Sequence, residues 1–342
     1  MKKNIIFVII LCFAPITLLF GASTKLKDSK QPIENPITVK LVSNQVGPHE
    51  NDRFDSDSPL LKYKGTLLLH SPHPAFGGFS DLLISNDRKS FLAITDMGFW
   101  LKADLNYTSS GFLEGVSPEA KLGQLLNTRG ETFAIKYSSD AEGLSRAAGS
   151  GFLVSYERVH RINYYNNAGK FDLSGTASKF KTSAQIKELP ENGGIETLLL
   201  LADERLFVMA EGDPEFGSLS YAAVTEKNHW THFNYQRTQG FRPTSAGNLP
   251  DGEILVLERR YNGPGTLGIR FRKFKADAIK SGATIVPETF FELKPPLPRD
   301  NFEGLDTVIT EDGRTYIYII SDDNFSPVQR TIITMFELLP KA

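Results

Sequence analysis

Asn192–Glu211 reads NGGIETLLLLADERLFVMAE. Small residues and one acid, Glu196, lead into an apolar run; the polar ADER follows; LFVMA then runs apolar up to a second acid, Glu211. Two short apolar runs joined by a polar turn describe a β-hairpin. LFVMA offers no polar side to water, so a strand made of it must be covered on both faces. Four other segments repeat the pattern: Gly77–Asp96 (GGFSDLLISNDRKSFLAITD), Asp140–Glu157 (DAEGLSRAAGSGFLVSYE), Phe241–Glu258 (FRPTSAGNLPDGEILVLE) and Asn301–Asp323 (NFEGLDTVITEDGRTYIYIISDD).

Asp81 to Asp96, Glu142 to Glu157 and Glu196 to Glu211 are each 15 residues apart. Copies recur after 61 and then 54 residues, and the 107 from Glu196 to Glu303 hold two more steps. That period matches a four-stranded propeller blade with variable loops. FLAIT, FLVSY, LFVMA, ILVLE and YIYII read as second strands lying between neighbouring blades, whereas a β-sandwich would show alternating strands. The expectation is an all-β propeller of five or six four-stranded blades. TIITMFEL ends the chain one strand short, so an N-terminal strand such as Lys62–His70 is expected to complete that blade and close the ring.

Lys2 and Lys3, an apolar Ile5–Phe20 and the small Gly21-Ala22-Ser23 have the layout of a secretory signal peptide. Sixteen helical residues reach about 24 Å, short of a bilayer core of roughly 30 Å. The division expected is a signal peptide over 1–23, cleaved after Ser23, a flexible tether over 24–37, and a single domain over 38–342. The mature chain would be periplasmic or secreted, with no stable membrane anchor. Cleavage removes Cys12, the one cysteine, so neither disulfides nor thiol chemistry enter. With Lys2 and Lys3 gone, 36 basic residues face 40 acidic ones, which is no footprint of a nucleic-acid binder.

The repeat sets acids in two registers. Asp81, Glu142, Glu196 and Glu303 lie on inner strands; Asp96, Glu157, Glu211, Glu258 and the pair Asp322-Asp323 end second strands. Carboxylates converging on a propeller axis repel one another unless a cation neutralises them, and hard oxygen ligands suit Ca2+ or another divalent cation. The expected metal set is Asp81, Glu142, Glu196 and Glu303. Arg158, Arg242, Arg259 and Arg330 are the expected substrate-binding residues, because a guanidinium fork binds phosphate or carboxylate. Glu142, Glu157, Arg158, Glu258 and Arg259 are the expected catalytic residues. A cation beside arginines suits a small anionic or ester substrate with no protein nucleophile. The plainer reading makes the acids structural, accepting strand amides and pairing with Arg158 and Arg259.

The six histidines show no metal-ligand spacing, and there is no G-x-S-x-G, G-x-x-x-x-G-K-[ST] or H-E-x-x-H motif. Ser145 in EGLSR has no identifiable base. No organic cofactor is implied.

GGFSDLLIS with AITDMGFW, DAEGLS, LVSYERVHRI, NGGIETL, FRPTSAGNLPDGEILVLERRY, DNFEGL and SDDNFSPVQRT resemble the bacterial phytase-like family, named for esterase-like activity of phytase. The resemblance covers roughly Leu60 to Leu339. It implies a propeller related in architecture to the calcium-dependent propeller phytases, and a periplasmic or secreted protein; its name joins esterase and phytase without settling one activity. The function expected from the acids and arginines is metal-assisted hydrolysis of a phosphate or carboxylic ester at the propeller axis. The alternative is a non-catalytic periplasmic propeller that binds a small anion or a protein partner.

Overall fold

The structure is a computed structural model that describes residues 35–50, 52, 60–212, 217–227, 229–263 and 265–340. The expected signal peptide, and all of the expected tether before Asn35, lie outside the described residues.

Five sheets, antiparallel except where Thr284–Ile285 joins the third in parallel, follow one another along the chain as the five blades of a propeller. Their inner strands are Phe79–Ile84, Ala141–Arg146, Ile195–Leu200, Arg242–Asn248 and Phe302–Ile309. Each is hydrogen-bonded to a second strand: Ser90–Thr95, Phe152–Tyr156, Leu206–Ala210, Glu253–Arg260 and Thr315–Ser321. Third strands come next, at Phe99–Tyr107, Arg161–Tyr165, Leu219–Glu226, Gly268–Lys275 and Ile332–Leu338. No sixth blade forms among the described residues. Ile37–Lys40 adds to the edge of the first sheet, and Val42–Gln45 to that of the fifth. Leu61–His70 lies antiparallel to Ile332–Leu338, with Leu61 opposite Leu338 and Leu68 opposite Ile332.

The apolar second strands explain the arrangement. Successive side chains of a strand point to opposite faces. Phe91 and Ala93 therefore pack with Tyr318 and Ile320 of the fifth sheet, while Leu92 and Ile94 pack with Val154 and Tyr156 of the second. Leu153 of the second sheet meets Val208 of the third. Phe207 and Met209 meet Ile254 and Val256 of the fourth. Leu255 and Leu257 meet Ile317 and Ile319 of the fifth. Each sheet thus shares a core with both neighbours, and burying one Leu, Ile or Phe side chain contributes about 1.5–3 kcal/mol.

Inner strands crowd together at the axis. A Cβ on Gly304 would come within 2.7 Å of Asp81 Cα and 2.9 Å of Leu82 N, and one on Gly143 within 2.6 Å of the Glu196 carbonyl oxygen. Glycine is required there because another strand's backbone fills the space.

Candidate functional site

Every pairing of inner and second strand slips by one residue near the start of the inner strand. Before the slip, Phe79 faces Thr95, Ala141 faces Tyr156, Ile195 faces Ala210, Pro243 faces Glu258 and Phe302 faces Ser321. Such bulges re-aim side chains. The next residues on the inner strands are Ser80, Glu142, Glu196, Thr244 and Glu303; the next on the second strands are Asp96, Glu157, Glu211, Arg259 and Asp322. Together they line one end of the axis, hereafter the mouth.

This register moves two residues out of the site expected from sequence. Asp81 belongs one layer deeper, because in the first hairpin Thr95 lies 16 positions after Phe79, where in the second Tyr156 lies 15 after Ala141. Its row is otherwise Gly143, Thr197, Ser245 and Gly304. Both of its carboxylate oxygens are already engaged. Oδ1 accepts from Leu82 N at 2.9 Å, Ser245 Oγ at 3.1 Å and Leu305 N at 3.3 Å; Oδ2 accepts from Leu144 N at 2.8 Å. Asp81 therefore pins three other inner strands to its own. Glu258 stops one residue short of the mouth and is fully buried between sheets. It accepts from Tyr235 Oη at 2.8 Å and Arg270 Nε at 2.5 Å, with Arg272 at 3.7 Å. Arg259 takes the place at the mouth where the four other sheets carry a carboxylate from the same register.

Of the expected metal set, Glu142, Glu196 and Glu303 remain at the mouth. Glu142, Glu157 and Asp140 each offer an oxygen within 4.8 Å of the others. Asp140 was missed from sequence, although it opens the segment DAEGLS. Arg158 and Lys136 both pair with Asp140, and Lys136 also with Asp96. Arg259 holds Glu303 at 3.0 Å and Glu211 at 3.6 Å, Arg242 holds Glu211 at 3.0 Å, and Arg330 holds Asp300 at 2.9 Å. Glu142 and Glu196 have neither ion pair nor hydrogen bond among the described residues.

Excess negative charge shows in the titration of these groups. Burial first, then Asp140 and Glu157, push the Glu142 carboxyl well above the usual range. Burial first, then Glu142 and Glu211, do the same to Glu196. Glu157 is pushed up to about 7 by burial, against the N–H that Gly194 donates at 3.2 Å. Burial takes Glu303 to about 7 even beside Arg259, and Asp322 to about 8 despite the Asn324 N–H. Asp96 Oδ1 is buried with no hydrogen-bond partner. Hard oxygens gathered beyond their supply of positive partners, one of them unsatisfied, fit a divalent cation.

Arginines gather on the opposite side of the mouth. Arg259 and Tyr261 stand between two clefts. One, about 430 Å³, is lined by Arg242 and Gln239; the other, about 810 Å³, by Glu303, Arg299 and Arg330. His160 stands against the same glycine as Glu157, since a Cβ on Gly194 would come within 3.0 Å of both Glu157 Cγ and His160 Nδ1, and its Nε2 donates towards the Leu189 and Pro190 carbonyls at 3.0 Å each.

The family model for phytase-like proteins, described as esterase-like activity of phytase, matches residues 74–325. No curated protein matches the chain. Among solved structures it is similar to an endo-arabinase from Bacteroides thetaiotaomicron, at 11% identity over 78% of this chain and 96% of that one, with a TM-score of 0.48. A protein of unknown function from Dyadobacter fermentans shares 13% identity over 89% and 94%, with a TM-score of 0.46. Virginiamycin B lyase from Staphylococcus aureus shares 11% over 88% and 100%, at 0.40.

Proposed function

Because the chain belongs to the phytase-like family, we propose that it is an exported, cation-assisted hydrolase of a small anionic ester, acting at the mouth of the propeller. The family supports a hydrolase-like kind of function. One observation carries the finer reading: the oxygens of Asp140, Glu142 and Glu157 face, across one mouth, the arginines that flank two clefts. Those three carboxylates would hold a divalent cation, which when bound screens the anionic group and activates a water. Arg259, Arg242 and Arg330 would orient the ester through their forks. Glu303 lines the larger cleft beside Arg259 and titrates near neutral pH, so it is suited to take the proton of the attacking water and return it to the leaving oxygen.

Release of p-nitrophenol from its phosphate or acetate ester should require Ca2+ and stop with chelator. Glu303→Gln should lower kcat about 100-fold. If neither those esters nor phytate turns over with any divalent cation, the hydrolytic reading fails.

One observation favours a second reading, a non-catalytic propeller that binds an anion or a protein. Arg158, Arg242, Arg259 and Arg330 each already pair with a carboxylate of the chain itself. The response of stability to Ca2+, taken up in the Discussion, separates the two.

Export rests on the basic, apolar and small-residue order of residues 1–23. Intact-mass measurement of protein recovered from the periplasm or medium should give a chain starting at Thr24. A chain still carrying Met1–Ser23 would contradict it.

A further inference from the structure

Ten large apolar side chains stand exposed among the described residues, and seven of them belong to the loops and element ends around the mouth. Ile135 and Tyr137 flank Lys136, the partner of Asp96 and Asp140. Val159 follows Arg158 in the turn after the second strand. Leu219 follows Ser218, which lines the smaller cleft, and Tyr261 borders both clefts. Phe325 and Val328 sit in the loop that leads to Arg330, and Val328 is 86% exposed. Single exposed apolar residues are ordinary; their concentration on one face is not.

Phe325 shows that this exposure is built in. Asn324 and Phe325 have φ of 48° and 50°, a region that bulky side chains avoid. Asp322 Oδ1 accepts the Asn324 N–H at 2.6 Å and Asp323 Oδ1 the Phe325 N–H at 3.0 Å, which holds both residues there. The ring is laid against Gly77 and Gly78, where a Cβ would come within 3.1 and 2.8 Å of it. Two glycines and a strained backbone thus present a ring that remains 45% exposed at the edge of the acid-lined mouth.

The seven side chains come from four of the five blades, encircling the ionic centre instead of gathering in one groove. A ligand held in one cleft would meet only the side chains that border it, Tyr261 and Val328, whereas a surface laid over the mouth can meet side chains of all four blades. An apolar rim around a polar, cation-suited centre matches a surface of amphiphiles, with chains against the rim and a head reaching the arginines.

We propose that the mouth face docks on a lipid surface, and that the ester it takes is the phosphate-bearing head of an amphiphile. The substrate half of this inference rests on the hydrolytic reading above; the docking half does not. The probe is co-sedimentation with phosphatidylcholine vesicles that carry phosphatidic acid, in Ca2+. The wild type should sediment with them. The variant Ile135→Ser/Val159→Ser/Leu219→Ser, whose three sites lie outside both clefts, should partition about tenfold more weakly or worse. Its turnover of water-soluble p-nitrophenyl phosphate should be unchanged. Turnover of that ester by a wild type that ignores vesicles, or a triple variant that sediments like the wild type, would overturn lipid docking and leave hydrolysis standing; the rim would then belong to a protein partner. Vesicle binding with no turnover of any ester would keep the docking and remove the hydrolytic reading.

Discussion

Asp81→Ala is expected to lower stability by about 4 kcal/mol, with a fall in melting temperature of about 10 °C. The carboxylate receives donors from its own strand and from three other inner strands, and it is 1% exposed. Alanine would leave the amides of Leu144 and Leu305 without this acceptor in a buried place, and each orphan costs about 1–3 kcal/mol, while the Ser245 hydroxyl keeps the Leu305 carbonyl at 3.3 Å. Asp81→Asn keeps the shape but turns an amide N–H2 towards a donor, so it should recover only part of the loss. Thermal and urea unfolding followed by circular dichroism measure both. An alanine variant that melts within about 2 °C of the parent would show that these bonds contribute little.

Without divalent cations the protein should be more stable at pH 5 than at pH 8, and Ca2+ should reverse the order. The sign follows from which state holds protons more tightly. Glu303 and Asp322 are raised from ordinary carboxyl values of 4.5 and 3.8 to about 7 and about 8, chiefly by burial. Below the unfolded values both states are protonated and no penalty arises. Between about pH 4 and pH 8 the unfolded chain has released these protons while the folded one retains them, so stability falls as pH rises. One carboxyl displaced by about 2.5 units corresponds to about 3 kcal/mol over that window. Glu157, raised to about 7, adds in the same direction. A cation bound only by the folded, ionised mouth restores stability where the carboxylates are charged and does little where they are protonated. Scanning calorimetry at both pH values, in chelator and in millimolar Ca2+, reads all four cases. An unchanged melting temperature with Ca2+ at pH 8 would leave the mouth without a metal and shift weight to the binding-only reading.

The hairpins were legible because LFVMA and its four counterparts are apolar at every position, which only a doubly covered strand tolerates. Five blades follow from five such strands, and the family match agrees with the motifs quoted from them. The short edge strands were harder, since Thr284–Ile285 joins the third sheet with two residues and no periodicity to betray it. At the mouth the error was one of register. A spacing of 15 set Asp81 beside Glu142 and Glu196, but the first hairpin is one residue longer and the acid turns to the next layer. In the fourth repeat, ending the segment at Glu258 put that acid in the mouth register; the residue there is Arg259, which had been expected at the site as an arginine for substrate. Period-two geometry makes such single slips decisive, since each one swaps the face. Asp140 opens the second repeat, but its counterparts in the others are Gly78, Gly194, Arg242 and Asn301, so no register of acids marks it; Lys136 lies before the repeat begins.

Phe207 with Phe274, and Phe271 with Phe336, fill the wedges between sheets and are not among the residues of the mouth. Because the mouth takes its groups from different sheets, its aperture is set by the thickness of those wedges, as the opening of an iris is set by the hinges of its leaves. A methylene added to or removed from one wedge would therefore move whole carboxylates relative to one another without touching them. The fold thereby gives selection a way to retune the spacing of the acids through residues that carry no charge.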